Sequence, residues 1–234
     1  MHAETLLHDL TDSPSCAKAR ICLTLKGVSF RRLTLTLHGL RRLRLLNPLG
    51  QVPVLEHDGR VLADSTAIVR YLEERFPDPP LLPSEPAARA YCELVEDWAD
   101  GTLAFVMGAV RWLNPANRQA AVGATARELG GGALVGWAMA ARLRLRYRAA
   151  GYSSAALGHF EGRLDAELGT LAALLEQRAF LLGRTLTLAD VAVFAQLAPL
   201  RHLAEATLLD AHPVVGRWLD RVAALPAVAV AVAA

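Results

Sequence analysis

Pro77-Asp78-Pro79-Pro80-Leu81-Leu82-Pro83-Ser84-Glu85-Pro86 divides this chain in two. Five prolines in ten residues fix φ and remove backbone donors too often for a helix or a paired strand. The stretch predicts a linker. Upstream of it, short β-like runs alternate with helical ones. Thr5–His8 predicts a strand. Pro14–Lys26 predicts a helix, with Ser13 as its N-cap, Pro14 at the first position and Gly27 as the stop. Ser29–Leu37 predicts a second strand and Gly39–Leu46 a short basic helix. Val52–Glu56 and Arg60–Leu62 flank the turn residues His57-Asp58-Gly59 as a hairpin. Thr66–Phe76 is amphipathic and stops before Pro77, with Ser65 as its N-cap. The order is β-α-β-α-β-β-α.

Downstream of the linker the strand signals vanish. Ala87 to about Val222 reads as helical, with breaks expected at Asn114-Pro115, Gly130-Gly131-Gly132, Gly151 and Gly183. Thr187-Leu188-Ala189-Asp190 has the spacing of a capping box, with Leu186 and Val191 as its hydrophobic staple. Asp190 is assigned to folding, and loss of that cap is worth about 0.5–2 kcal/mol. The plan is an α/β domain over 1–78, a proline-rich linker over 79–86 and an all-α domain over 87–234.

Composition bounds the function. Of 234 residues, 53% are hydrophobic and 21% charged, which builds cores rather than disorder. A net charge of +2 gives no reason to expect nucleic acid as a partner. The basic residues are almost all arginine, the lysines being Lys18 and Lys26. Cys16, Cys22 and Cys92 are odd in number and form no CxxC pair, which fits a reducing cytoplasm. The N-terminus lacks the pattern of a signal peptide, and no apolar run approaches the ~18 residues of a spanning helix. The seven histidines show no metal-site spacing, so no metal is expected. No phosphate loop or dinucleotide glycine pattern occurs.

Three stretches carry a resemblance. Ser13-Pro14-Ser15-Cys16-Ala17-Lys18-Ala19-Arg20, Asn47-Pro48-Leu49-Gly50-Gln51-Val52-Pro53-Val54-Leu55 and Leu62-Ala63-Asp64-Ser65-Thr66-Ala67-Ile68-Val69-Arg70-Tyr71-Leu72 resemble, in order and spacing, the thioredoxin-like domain of the cytosolic glutathione S-transferases. The linker and Phe180–Phe194 resemble the family's helical domain. Residues 113–157 match poorly, and only helix is expected there. The resemblance implies a thioredoxin-like α/β domain followed by a helical bundle. It also implies glutathione as co-substrate, a small electrophile as acceptor, and a cytoplasmic homodimer without membrane or nucleic-acid partners.

Ser13 offers a hydroxyl, unpaired helix N–H groups and the positive end of a helix dipole, all of which favour a thiolate. A free thiol with a pKa near 8.5 falls by about one to several units in such a place. Ser13 is the expected catalytic residue, and its plain alternative is a simple cap. In the family the register of the catalytic group varies, so Thr11, Ser15 and Cys16 stay open. Against the CPxC pattern of glutaredoxins, Ser13 replaces the nucleophilic cysteine, which favours activating a bound thiol over disulfide exchange.

The resemblance makes Val52–Pro53 cis, leaving the N–H and C=O of Val52 to pair with the cysteinyl unit of glutathione as an added strand would. The alternative is an ordinary edge-strand proline. Asp64 and Ser65 are expected to hold the γ-glutamyl ammonium and carboxylate at a helix N-terminus, or to be a plain Asp-Ser cap. The family often has glutamate where Asp64 stands. Gln51 is placed beside the peptide. His38, Arg41, Arg42 and Arg44 are candidates for the glycine carboxylate, against the plainer reading of solvated side chains. Phe105 and Trp112 are candidates for the second-substrate pocket, among aromatic residues that at helical spacing more often form core.

Conjugation of the glutathione thiolate to a small electrophile leads. Isomerisation, reductive cleavage or peroxide reduction would use the same pocket. A non-catalytic binding module and a thiol oxidoreductase built on Cys16 complete the set.

Overall fold

The computed structural model describes residues 4–130 and 132–233. Gly131 of the expected glycine break lies outside the described residues, as do residues 1–3 and 234. Two compact units result. One comprises the chain up to Leu81 together with Glu128–Gly130 and the tail from Ala224, and the other comprises Leu82–Arg127 and the chain on to Ala223.

The first unit follows the predicted order: β1 (Leu6–Asp9), α1 (Pro14–Leu25), β2 (Arg31–Thr34), α2 (Gly39–Leu46), β3 (Val54–His57), β4 (Arg60–Ala63) and α3 (Ser65–Arg75). The sheet runs β2-β1-β3-β4. β1 pairs in parallel with β2, Leu7 opposite Arg32. It pairs antiparallel with β3, Leu7 opposite Leu55. The hairpin closes with His57 opposite Arg60, so its turn is Asp58-Gly59. Both turn residues have positive φ, 47° and 74°, the geometry that makes Asp-Gly a hairpin signal. Leu7, Val54 and Leu55 are buried with Ile21 and Leu23 of α1 and Ile68 and Leu72 of α3. α1 packs against α3.

The helical unit comprises α4 (Pro86–Trp98), a π-helical turn (Ala99–Leu103), α5 (Ala104–Leu113), α6 (Pro115–Leu129, whose end counts with the first unit), α7 (Gly132–Ala149), α8 (Leu157–Leu175), α9 (Leu188–Leu197), α10 (Leu208–Ala211) and α11 (Pro213–Ala223). Every residue of α9 is buried, as an all-round apolar helix must be. α9 packs against α4 and α11, and α8 against α5 and α11. A last helix, α12 (Pro226–Ala233), returns to the first unit and lies on α1. No helix among the described residues is long and apolar enough to cross a membrane.

Candidate functional site

The loop from Leu10 to Ser13 is fixed from several sides. Ser13 caps α1 with extended backbone, and its Oγ accepts from Cys16 N–H at 3.4 Å. Ser13 N–H donates to Leu10 C=O at 3.0 Å. Beneath the loop, the buried Asp9 carboxylate takes Nη1 of Arg20 at 2.7 and 2.9 Å and also binds Arg32 Nε. The same two arginines hold Thr11: Arg20 Nη2 donates to its C=O at 3.2 Å and Arg32 Nη2 to its Oγ1 at 3.0 Å. Thr11 N–H donates to the Glu128 carboxylate. Ser13 and Ser15 stay half-exposed, and Thr11 is exposed.

Cys16 stands apart from these hydroxyls. It is fully buried. Burial, reinforced by the Asp9 charge, pushes its thiol up to about 12, and the hydrogen bond with Ser13 offsets only part of that. A helix N-terminus alone would push the other way. Desolvation wins here because the side chain points into the unit and not along the loop.

The Val52–Pro53 bond is cis. Val52 is half-buried and Gln51 exposed. Among the described residues neither backbone group of Val52 enters a turn or cap hydrogen bond. Asn47 braces the approach, donating through Nδ2 to Gln51 C=O at 2.9 Å and accepting from Leu49 N–H at 3.1 Å.

At α3 the structure moves the expected cap by one residue. Asp64, not Ser65, is the N-cap, with φ 88° and one carboxylate oxygen accepting from Thr66 N–H at 2.9 Å and Ala67 N–H at 3.0 Å. With ψ 131° this backbone lies outside the αL basin, and the two N–H groups gathered by one Asp64 oxygen move the cap off Ser65. Ser65 becomes the first residue of the helix and is 4% exposed. Asp64 itself is exposed.

Sequence reasoning missed Lys18. Its side chain is fully buried, and Nζ donates to Thr66 Oγ1 at 3.2 Å, which sets an ammonium under the first turn of α3. The chain's second lysine is buried as well. Lys26 Nζ pairs with Glu73 at 2.5 Å and donates to Pro79 C=O at 2.7 Å. Two lysines in an arginine-rich chain, one on α1 and the other at its C-cap, were the available signal. A slim flexible stem fits a buried slot that a planar guanidinium does not.

The basic candidates on α2 divide. Arg42 pairs with Glu56 at 3.1 Å, and Glu56 also takes His8 Nε2 at 2.7 Å. These contacts, His8 foremost, hold the Glu56 carboxyl below its usual range. Arg44 lies along Gly50. His38 precedes α2 without making a side-chain cap, and Arg41 is exposed.

In the helical unit, Phe105 belongs to an aromatic cluster, 4.8 Å from Tyr147 and 5.8 Å from Phe160 between centroids. Trp112 is half-buried beneath the Arg111 guanidinium, 5.3 Å above its ring. A cavity of about 400 Å³ is lined by Asp58, Arg60 and Tyr71 and another of about 320 Å³ by residues that include Trp218, and neither counts Ser13, Val52 or Ser65 in its lining. Among the described residues no three His, Cys, Asp or Glu side chains gather as a metal site.

Residues 7–80 match the model of the glutathione S-transferase N-terminal domain, and residues 147–231 that of its C-terminal domain. Glutathione S-transferase 1 of Dianthus caryophyllus is 49% identical over 81 residues, 32% of this chain and 37% of that protein. A probable maleylacetoacetate isomerase of Caenorhabditis elegans is 40% identical over 85 residues, 35% of this chain and 40% of that protein. The matched region thus spans about two-fifths of these curated relatives. Among solved structures, the β-etherase LigF from Sphingobium sp. strain SYK-6 superposes with a TM-score of 0.78 at 22% identity, covering 98% of both chains, a likeness of fold. With family models matched on both sides of the linker, over a thioredoxin-like unit and a helical one, the chain belongs to the glutathione S-transferase family.

Proposed function

We propose that the first unit binds glutathione and that the protein joins its thiolate to a small electrophile. The observation that carries this is the hydrogen-bond state of Ser13. Its Oγ already accepts from Cys16 N–H, so its own proton is left to donate outward to a sulfur lying over the end of α1. The helix dipole adds to that donor, and the bound thiol is held ionised for attack. The cysteinyl backbone pairs with Val52, beside Gln51. The γ-glutamyl carboxylate meets Ser65 at the start of α3 above the buried Lys18 charge, and its ammonium meets Asp64. Phe105 and Trp112 are proposed for the acceptor side. A cytoplasmic homodimer fits the same reading.

The test is the ionisation of bound glutathione, read from thiolate absorbance. Ser13→Gly deletes the hydroxyl, while glycine keeps most of the capping, at a cost of a few tenths of a kcal/mol. The thiol pKa of the complex rises by about a unit or more, and turnover with an aryl halide falls roughly 10²-fold. An unchanged thiol pKa would remove Ser13 from the mechanism.

A second reading is favoured by the relatives named maleylacetoacetate isomerase. There the thiolate adds to an alkene carbon, the bond rotates, and elimination returns the thiolate and the isomer. Glutathione is then not consumed. Loss of free thiol per product formed separates the two reactions, and retention on immobilised glutathione without either points to a binding module.

A further inference from the structure

Segment 113–157, which a matched family model covers only from residue 147 on, holds six arginines against a single glutamate, a surplus of five in a chain whose net charge is +2. That glutamate is Glu128, whose carboxylate is engaged by Thr11 N–H. α6 and α7 approach closely, since a Cβ on Gly136 would meet the Val122 C=O at 2.3 Å. Arg118 stands one turn before this crossing on α6, and Arg144 two turns beyond it on α7. Burial lowers the Arg118 pKa, and the nearby Arg144 charge lowers it further. The Arg144 charge is thus near enough to act on Arg118.

Both heads are only half-buried, yet among the described residues neither Arg118 Nε nor Arg144 Nε, each shielded from solvent, has a hydrogen-bond acceptor. Arg118 Nη1 donates to Trp112 C=O at 3.4 Å, at the carbonyl end of α5. That end carries partial negative charge and accounts for one contact. It leaves both Nε–H groups unmatched. Adjacent like charges with unused buried donors are costly on their own terms. A bound anion is one way to supply the missing acceptors.

We propose that Arg118 and Arg144 form an oxyanion site within the helical unit, taking the carboxylate or phosphate group of a small anionic molecule. The guanidinium fork offers Nε–H and Nη–H side by side at the spacing of two oxyanion oxygens, and two forks neutralise a doubly charged group. Neither arginine is among the residues proposed for the glutathione groove.

The experiment follows the melting temperature of the full chain in succinate, in inorganic phosphate and in chloride, each below about 20 mM at matched ionic strength, so that general salting effects stay small. The wild type gains stability with succinate, phosphate or both, and which of the two acts tells carboxylate from phosphate. Arg118→Gln and Arg144→Gln each weaken that response at least tenfold in apparent affinity while still binding immobilised glutathione. In chloride alone both variants melt no lower than the wild type, because a repulsion has been relieved. An arginine kept only for folding would show the reverse: a lower melting point in chloride with the anion response intact. Should the glutamine variants fail to fold, Arg144→Lys keeps the charge, lacks the fork and loses the response. A wild type indifferent to both anions, or variants that respond as it does, overturns the proposal.

Discussion

Cys16 shows how one residue's chemistry turns on where its side chain points. Its backbone occupies the first turn of α1, a place that usually acidifies a thiol. Its sulfur is enclosed, and Asp9 stands close enough to oppose a negative charge. With the thiol pushed up to about 12, almost none is ionised at neutral pH. Cys16 is therefore expected to alkylate orders of magnitude more slowly than free glutathione at pH 7.5, followed by mass spectrometry, and Cys16→Ala to keep glutathione turnover within about threefold. Rapid labelling with loss of activity would return the thiol oxidoreductase to contention. Local residues such as Ser13 were legible because a cap needs only its own helix. The shift from Ser65 to Asp64 was not, since it depends on a positive φ at Asp64 where β4 passes into α3. Lys18 was illegible for another reason: its burial is created by α3, which begins 47 residues later.

Among the elements, α9 is fixed by the capping box that the sequence displays. Thr187 and Asp190 make both halves of it. Asp190 does more than a cap, because it also accepts from Leu181 N–H at 2.8 Å and from Trp218 Nε1 at 3.1 Å. Asp190→Ala leaves those donors buried and unmatched, so the loss exceeds a cap's and is expected at roughly 3–5 kcal/mol in urea unfolding. A loss under 1 kcal/mol would reduce the residue to a simple cap. Burial raises the Asp190 pKa despite its four donors. A raised carboxyl adds stability that is complete below the unfolded pKa, about 3.9, and declines as pH rises through the folded value. The stability gap between wild type and Asp190→Asn should therefore narrow from pH 4 to pH 7, and a widening gap would contradict the burial argument. The box was legible because its four residues are contiguous. The π-helical turn at Ala99–Leu103 was not, since nothing in Ala-Asp-Gly-Thr-Leu distinguishes it from plain helix.

At the scale of the molecule, the chain's last helix serves its first loop. The apolar tail reads from sequence only as too short to span a membrane, and its partner, α1, lies some 200 residues upstream, beyond the reach of any local pattern. In the structure α12 covers α1, with Val228 and Ala231 buried. Arg20 Nε donates to Ala231 C=O at 3.0 Å, while the rest of the same guanidinium holds Asp9 and the Thr11 carbonyl. One side chain thus ties the tail to the loop that ends at Ser13. Ending the chain at Leu225 uncovers Val228's site, worth about 1.5–3 kcal/mol, and strips Arg20 of one acceptor, worth about 1 kcal/mol more. The expected loss is about 3 kcal/mol. Amide exchange should quicken in Leu10–Ser13, and glutathione should bind more weakly although no proposed contact with it has been removed. Val228→Ala separates the two effects, since it costs apolar burial but keeps the Ala231 carbonyl and should leave exchange in the loop unchanged. If the shortened chain melts within a degree of the full one and its loop exchanges at the same rate, the tail is a passenger and Arg20 holds the loop through Asp9 alone.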